Sequence, residues 1–247
     1  MDSRQSSILD IMGITRWVPR DESLADLFAD SPQDSIDQPA VVIESPESEV
    51  ATVSVSNPQF QVEEADWESL ENAIRLCTRC DLHQQRTHAV VGTGNGDASW
   101  MIIGEAPGEQ EDLQGEPFVG RAGVLLNNML KAVGLDRTAV YIANVVKCRP
   151  PGNRDPQPVE TSTCYPYLQR QITLIQPDLI LLIGRIAAQN LLKTDTAVGR
   201  LRGKVHYLAE SNIPMVVTYH PAYLLRRPSE KRKTWEDLKL AMETVSA

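Results

Sequence analysis

The sequence has no apolar run long enough to cross a bilayer. Its longest strongly apolar stretch, residues 179–183, is five residues, and a spanning helix needs about 20. The first residues are polar and acidic, without a basic start or an apolar stretch behind them, so no signal peptide is expected. Both absences point to a soluble, cytoplasmic protein. There is no phosphate loop of the G-x4-G-K-[ST] type, which argues against a nucleotide-binding protein. The turn Gly92-Thr93-Gly94-Asn95-Gly96-Asp97 looks superficially like a dinucleotide loop, but it precedes a strand where such a loop follows one. Internal repeats are absent. Aromatics are scarce, with three phenylalanines in the chain. An excess of cations is missing too: the net charge is −9, which would argue against a polyanionic partner. That charge is unevenly spread. Residues 1–66 hold 3 Lys/Arg and 14 Asp/Glu, whereas residues 67–247 hold 21 and 19. The acidity belongs to the leading segment, and the remainder is compatible with nucleic acid.

Residues 1–66 are rich in Ser, Pro, Gln, Asp and Glu, and an acidic, largely disordered tail is expected there. Two apolar islands interrupt it, residues 8–14 with Trp17, and Leu24-Ala25-Asp26-Leu27-Phe28. The second resembles the short peptides by which bacterial repair proteins dock on the sliding clamp. A clamp or another replication protein is therefore the partner expected of the tail. The folded domain is expected over residues 67–247. Asp66 is a plausible N-cap, and Trp67, Leu70, Ile74 and Cys77 follow at helical spacing. Four apolar runs, residues 100–103, 140–146, 178–183 and 215–219, read as buried parallel strands. Between them, residues 125–133 read as a helix that stops at Gly134. Another spans about 158–175, interrupted at Pro166, and a third covers 184–192. A last helix over about 229–245 is expected to bury Trp235, Leu238, Met242 and Val245. The alternation predicts an α/β fold, a three-layer α/β/α sandwich around a four-stranded parallel sheet.

The richest stretch follows the first of those strands. From Gly104 to Gly123 it holds glycines, prolines, carboxylates and the single aromatic Phe118, at a strand end where open α/β sheets bind ligands. The second strand carries Asn144 among apolar neighbours. A buried amide needs partners, and its acceptor and donor side by side complement an imide edge such as that of uracil and mismatch cytosine. The fourth strand ends in His220-Pro221-Ala222-Tyr223-Leu224-Leu225-Arg226-Arg227. Leucines beside arginines suit a wedge that enters a base stack while cations hold phosphates. Four cysteines, Cys77, Cys80, Cys148 and Cys164, leave none over. Zinc and a [4Fe-4S] cluster both accept four thiolates, and the spacing does not separate them.

Together these motifs resemble family 4 uracil-DNA glycosylases, the iron–sulfur type found in bacteria and archaea. The residues that carry the likeness are Gly104-Glu105-Ala106-Pro107-Gly108-Glu109, residues 115–123, Asn144-Val145-Val146-Lys147-Cys148-Arg149-Pro150-Pro151 and His220-Pro221-Ala222-Tyr223-Leu224-Leu225-Arg226. The likeness covers about residues 67–245 and leaves the tail outside. It implies a structural [4Fe-4S] cluster on the four cysteines. It implies hydrolysis of the N-glycosidic bond between uracil and deoxyribose in single- or double-stranded DNA, by a monomer. It implies that Phe118 stacks on the extruded uracil, Asn144 reads its polar edge and His220 donates to the oxygen that becomes negative. Glu105, Glu111 and Asn153 are then the candidates for positioning water or stabilising the sugar cation, and Tyr223, Leu224, Leu225 and Arg226 for gripping DNA. One departure stands out. The best-known members of the superfamily carry an Asp one residue before the Pro of the first motif, and here that residue is Ala106. A catalytically silent DNA-binding module is the competing expectation, against which the intact Glu105, Asn144 and His220 argue.

Overall fold

The computed structural model describes residues 61–246, so both apolar islands of the leading segment lie outside the described residues. Helix α1, Trp67–Arg75, starts where the Asp66 carboxylate accepts a hydrogen bond from the Ser69 amide at 2.8 Å. It turns Leu70 and Ile74 into the core. The folded part begins before residue 66, because Val62 and Ala65 are already buried in the same core. The helix stops at Arg75, which leaves Cys77 on the loop beyond it.

The sheet is mixed and six-stranded rather than four-stranded and parallel. Its strands are β1 (Thr93–Gly94), β2 (Trp100–Gly104), β3 (Tyr141–Asn144), β4 (Leu179–Ile183), β5 (Val205–Tyr207) and β6 (Pro214–Thr218). Their spatial order is β1-β3-β2-β4-β6-β5. The inner four are parallel and correspond to the four apolar runs. Two short antiparallel strands, β1 and β5, flank them. These two are only two and three residues long and partly exposed, so they lack the apolar run by which an inner strand announces itself. Short edge strands of this kind blunt a sheet's tendency to pair with other chains.

The inner strands are buried on both faces, which is why each reads as a continuous apolar run. Met101, Ile103, Ile180, Leu182, Met215 and Val217 face α1 and two further helices, α4 (Pro158–Ile175) and α5 (Arg185–Leu192). Ile102, Ile142, Leu181 and Val216 face α3 (Arg121–Ala132) and α8 (Lys231–Val245). Three short helices complete the set, α2 (Glu109–Gln114), α6 (Val198–Leu201) and α7 (Pro221–Arg226).

Two helices depart from expectation. Helix α4 runs unbroken through Pro166. Burial of Cys164, Tyr167, Leu168, Gln171 and Ile172 on its inner face outweighs the roughly 3 kcal/mol that an interior proline costs. Helix α8 buries Thr234, Asp237, Leu238 and Ala241 and leaves Trp235 and Met242 exposed. The cause is polar. Asp237 accepts hydrogen bonds from Arg202 Nε (3.0 Å), Thr218 Oγ1 (2.8 Å) and the Gly203 amide (3.1 Å), and this anchor sets the helix's rotation. Among the described residues, no helix is long and apolar enough to cross a membrane.

Candidate active site

A cavity of about 770 Å³ opens at the carboxyl ends of the four parallel strands. Every one of them contributes: Glu105 follows β2, Asn144 ends β3, Gly184 and Arg185 follow β4, and His220 follows β6. The chain leaves β2 toward α3 on one face and leaves β4 toward α5 on the other. Neighbouring strands whose connections part in this way leave a crevice between them.

Within it, Asn144 and Phe118 bound a slot. Asn144 is 2 % exposed, and its Oδ1 is buried without a hydrogen-bond partner among the described residues. An unmade bond at such an atom costs about 1–3 kcal/mol, so the site is one that a ligand's N–H would complete. Phe118 is buried opposite. Gly104 lies between the two: a Cβ there would come within 2.5 Å of Asn144 Oδ1 and 2.6 Å of Phe118 Cζ. The slot is therefore floored by bare backbone.

Phe118 does not reach this position cheaply. Its φ is +53°, a conformation that costs a non-glycine residue roughly 1–3 kcal/mol. Two features hold it. Arg137 donates to the carbonyls of Pro117 and Phe118, the latter at 3.2 Å. The backbone of Gly123 packs directly beneath, where a Cβ would fall 1.8 Å from the Phe118 carbonyl oxygen.

His220 caps α7. Its Nδ1 accepts a hydrogen bond from the Ala222 amide at 3.1 Å, which leaves the proton of a neutral ring on Nε2. The ring lies 5.7 Å from that of Phe118, tilted by 36°. Burial first, and then the Arg226 cation, push its pKa down to about 4, against a weaker opposite pull from Glu111. At neutral pH it is an uncharged donor.

The two glutamates are in different situations. Glu105 is half-buried, and burial followed by the negative charge of Asp155 pushes its pKa up to about 7, against the pull of Arg185. Glu111 is committed to the backbone. Its Oε1 accepts from the amides of Val119 and Gly120, both at 2.9 Å, and its Oε2 from that of Gly108 at 3.1 Å. It clasps the two ends of the loop that presents Phe118. Asn153 is exposed at the cavity mouth, where its Oδ1 accepts from Arg149 Nε at 2.7 Å.

Helix α7 divides its residues by face. Tyr223 stacks on Tyr219 with ring centroids 5.1 Å apart, and both line the cavity with Arg226. Leu225 is 37 % exposed. Leu224 cannot grip DNA as expected: it is 1 % exposed and packed into the core beside α3. Helix α7 turns Leu224 inward and leaves Leu225 and Arg226 exposed.

A second, small cavity is lined by all four cysteines together with Arg86, Lys147 and Tyr167. Arg86 Nη1 donates to Cys148 Sγ at 3.0 Å. Lys147 is buried and donates to the Asn144 carbonyl at 2.9 Å and to Gln171 Oε1 at 2.6 Å. Burial raises the Cys80 and Cys148 thiols, and pushes that of Cys164 up to about 12. Such thiols become thiolates when a metal takes the proton's place. Four soft donors beside two cations fit an anionic iron–sulfur cluster. Among the described residues, no three His, Cys, Asp or Glu side chains are gathered as ligands of a single ion.

Sequence reasoning overlooked Gly104 as the slot's floor, Arg137 as the prop of Phe118, and the pair Asp155 and Arg185 beside Glu105. Arg185 had a signal, since it follows a strand end like the other site residues. Arg137 had none, because it lies in the connection between α3 and β3.

A family model described as the uracil DNA glycosylase superfamily matches residues 91–239. The type-4 uracil-DNA glycosylase of Archaeoglobus fulgidus is 46% identical over 181 residues, covering 70% of this chain and 91% of that protein. The type-4 enzyme of Sulfurisphaera tokodaii is 43% identical over 183 residues, covering 71% and 83%. That of Thermotoga maritima is 42% identical over 182 residues, covering 72% and 94%.

Proposed function

Because this chain belongs to the type-4 uracil-DNA glycosylases of the uracil DNA glycosylase superfamily, we propose that the strand-end cavity holds an extruded uracil and divides its excision among Asn144, Phe118, His220 and Glu105. The chain is a DNA-repair hydrolase that cleaves the N-glycosidic bond of uracil in DNA, leaving an abasic site. The observation that carries the assignment of roles is the buried, partnerless Oδ1 of Asn144 across a backbone floor from Phe118.

In this reading the nucleotide leaves the stack at a cost of a few kcal/mol. Phe118 stacks on its face. Asn144 Oδ1 accepts from N3–H while its amide nitrogen donates to O4; cytosine reverses that pattern and is refused. As the bond to deoxyribose breaks, the electron pair moves into the uracil ring. The neutral His220 Nε2–H is the donor for the oxygen on which charge collects. The sugar becomes an oxocarbenium-like cation. Ionised Glu105 faces it and, with Asn153 at the mouth, orients the water that completes hydrolysis. Since Ala106 stands where the best-known members of the superfamily carry an Asp, Glu105 takes the larger share. Glu111 acts by holding the Phe118 loop. Leu225 enters the gap in the base stack, and Arg226 with Tyr223 holds the strand, single or double.

Cys77, Cys80, Cys148 and Cys164 would hold a [4Fe-4S] cluster, which supplies a covalent brace and no step of the reaction. Residues 24–28 are assigned to a sliding clamp or another replication protein, and the enzyme to a cytoplasmic monomer.

Incubation with a uracil-containing oligonucleotide followed by alkali tests the reading. Strand breakage at uracil and not at cytosine is expected. Intact strands on both single-stranded and U:G substrates would leave only a DNA-binding role.

A further inference from the structure

Two buried polar side chains, Lys147 and Gln171, take no part in the proposed mechanism. Lys147 is 2 % exposed and Gln171 is 0 % exposed. Gln171 lies on the inner face of α4, about two turns beyond Cys164. Its Oε1 accepts from Lys147 Nζ at 2.6 Å. Its Nε2 donates to the Val91 carbonyl at 3.0 Å and to the Tyr141 hydroxyl at 3.2 Å. Lys147 Nζ donates in turn to the Asn144 carbonyl at 2.9 Å. Strand β3 starts at Tyr141 and ends at Asn144. One glutamine therefore reaches both ends of it, directly at the first residue and through Lys147 at the last. The backbone beyond is latched as well. The amides of Val145 and Val146 donate to the carbonyls of Gly104 and Glu105 at 3.0 and 3.2 Å, and that of Val90 to the Lys147 carbonyl at 2.7 Å. Packing alone does not call for either side chain, because a buried ammonium and a buried amide cost more to desolvate than apolar groups of the same size.

We propose that Lys147 and Gln171 are positioning residues for uracil recognition: they hold the Asn144 end of β3 so that its side-chain amide meets the uracil edge. This rests on the reading of Asn144 as the residue that recognises the base. A hydrogen bond weakens steeply as its angle departs from linear. Asn144 Oδ1 has little room to adjust, being set close above the Gly104 backbone. Where its backbone is held therefore decides where its amide points. Lys147 also lines the cysteine cavity, whereas Gln171 is not among the described residues that do. Gln171 is thus the side chain through which the role is separated from that of the cysteines.

The test measures binding to a single-stranded oligonucleotide holding an uncleavable uracil nucleotide, and to the same oligonucleotide with cytosine in that place. It uses the full chain and its Gln171→Met, Lys147→Met and Asn144→Ala variants, with Gln171→Met also introduced beside Asn144→Ala. Melting temperature and metal content are read on the same samples. Gln171→Met and Lys147→Met should each weaken uracil binding by about tenfold and leave cytosine binding unchanged. Beside Asn144→Ala, Gln171→Met should add almost nothing, because residues that act through one group are not additive. Should a single variant lose the fold, Lys147→Met combined with Gln171→Met carries the same test, since it strands neither partner of their bond. A melting temperature that falls while the preference for uracil stays would mark a merely structural role and overturn the proposal. So would a loss of uracil binding seen only in samples that have lost metal, or one as large beside Asn144→Ala as without it. Asn144→Ala with unmodified uracil binding would overturn the reading of Asn144 itself. A weak-binding Asn144→Ala beside an unmoved Gln171→Met would overturn this inference alone.

Discussion

At the scale of single residues, the proposed mechanism keeps one group neutral and another poised. In that mechanism His220→Ala removes a donor whose bond forms fully only as uracil leaves. Excision should fall by about 10²–10³-fold, with little change in affinity for an uncleavable uracil analogue; single-turnover kinetics and a binding titration separate the two. Glu105 predicts a stability effect with a defined sign. Its folded pKa, about 7, lies above the ordinary 4.5, so the folded state binds the proton more tightly than the unfolded chain. Its protonated form suits the fold, and stability falls as pH rises from about 4.5 to 7. Glu105→Gln should therefore melt higher than the unmodified protein at pH 8 and at nearly the same temperature at pH 4. Sites of this kind commonly trade stability for activity. The placement of both residues was legible in the sequence, because each follows an apolar run that forms an inner strand. The environments were not. That Glu111 spends its carboxylate on three amides depends on a loop closing on itself, which no residue spacing encodes.

At the scale of elements, α7 is where the proposed chemistry meets the proposed grip on DNA. His220 caps it, Leu224 roots it in the core and Leu225 projects from it. Leu225→Ala should slow excision from duplex DNA more than from single strands and leave the melting temperature unchanged, since an exposed side chain loses little packing. Leu224→Ala should instead cost about 2–5 kcal/mol of stability, read in a denaturant titration. The inner strands were readable because both their faces are buried. Strands β1 and β5 were not, being too short and too exposed to show a pattern. The face of α8 was misjudged because hydrophobicity pointed to Trp235 and Met242, whereas the Asp237 anchor turned the helix the other way.

At the scale of the whole molecule, the cysteine cavity and the base slot share one stretch of chain. Asn144 ends β3, Lys147 ties back to the Asn144 carbonyl, and Cys148 follows at once. With the proposed cluster bound, Cys164→Ser, or treatment with a chelator and oxidant, should lower the melting temperature and abolish visible absorbance. It should also slow uracil excision through a displaced Asn144, which absorbance and activity measured on one sample would show. Removing residues 1–60 should leave excision from short oligonucleotides unchanged, because the described core and the described cavity residues lie beyond them. Truncation at residue 66 is a different experiment, as it takes Val62 and Ala65 out of the core. The floor of the slot has one last consequence, for the course that mutation can take. Gly104 already carries the smallest side chain there is, so every substitution at that position can only narrow the space for a base. A descendant that admits a bulkier lesion must open a wall, at Asn144 or Phe118, and in doing so gives up either the reading of uracil or the surface on which it stacks.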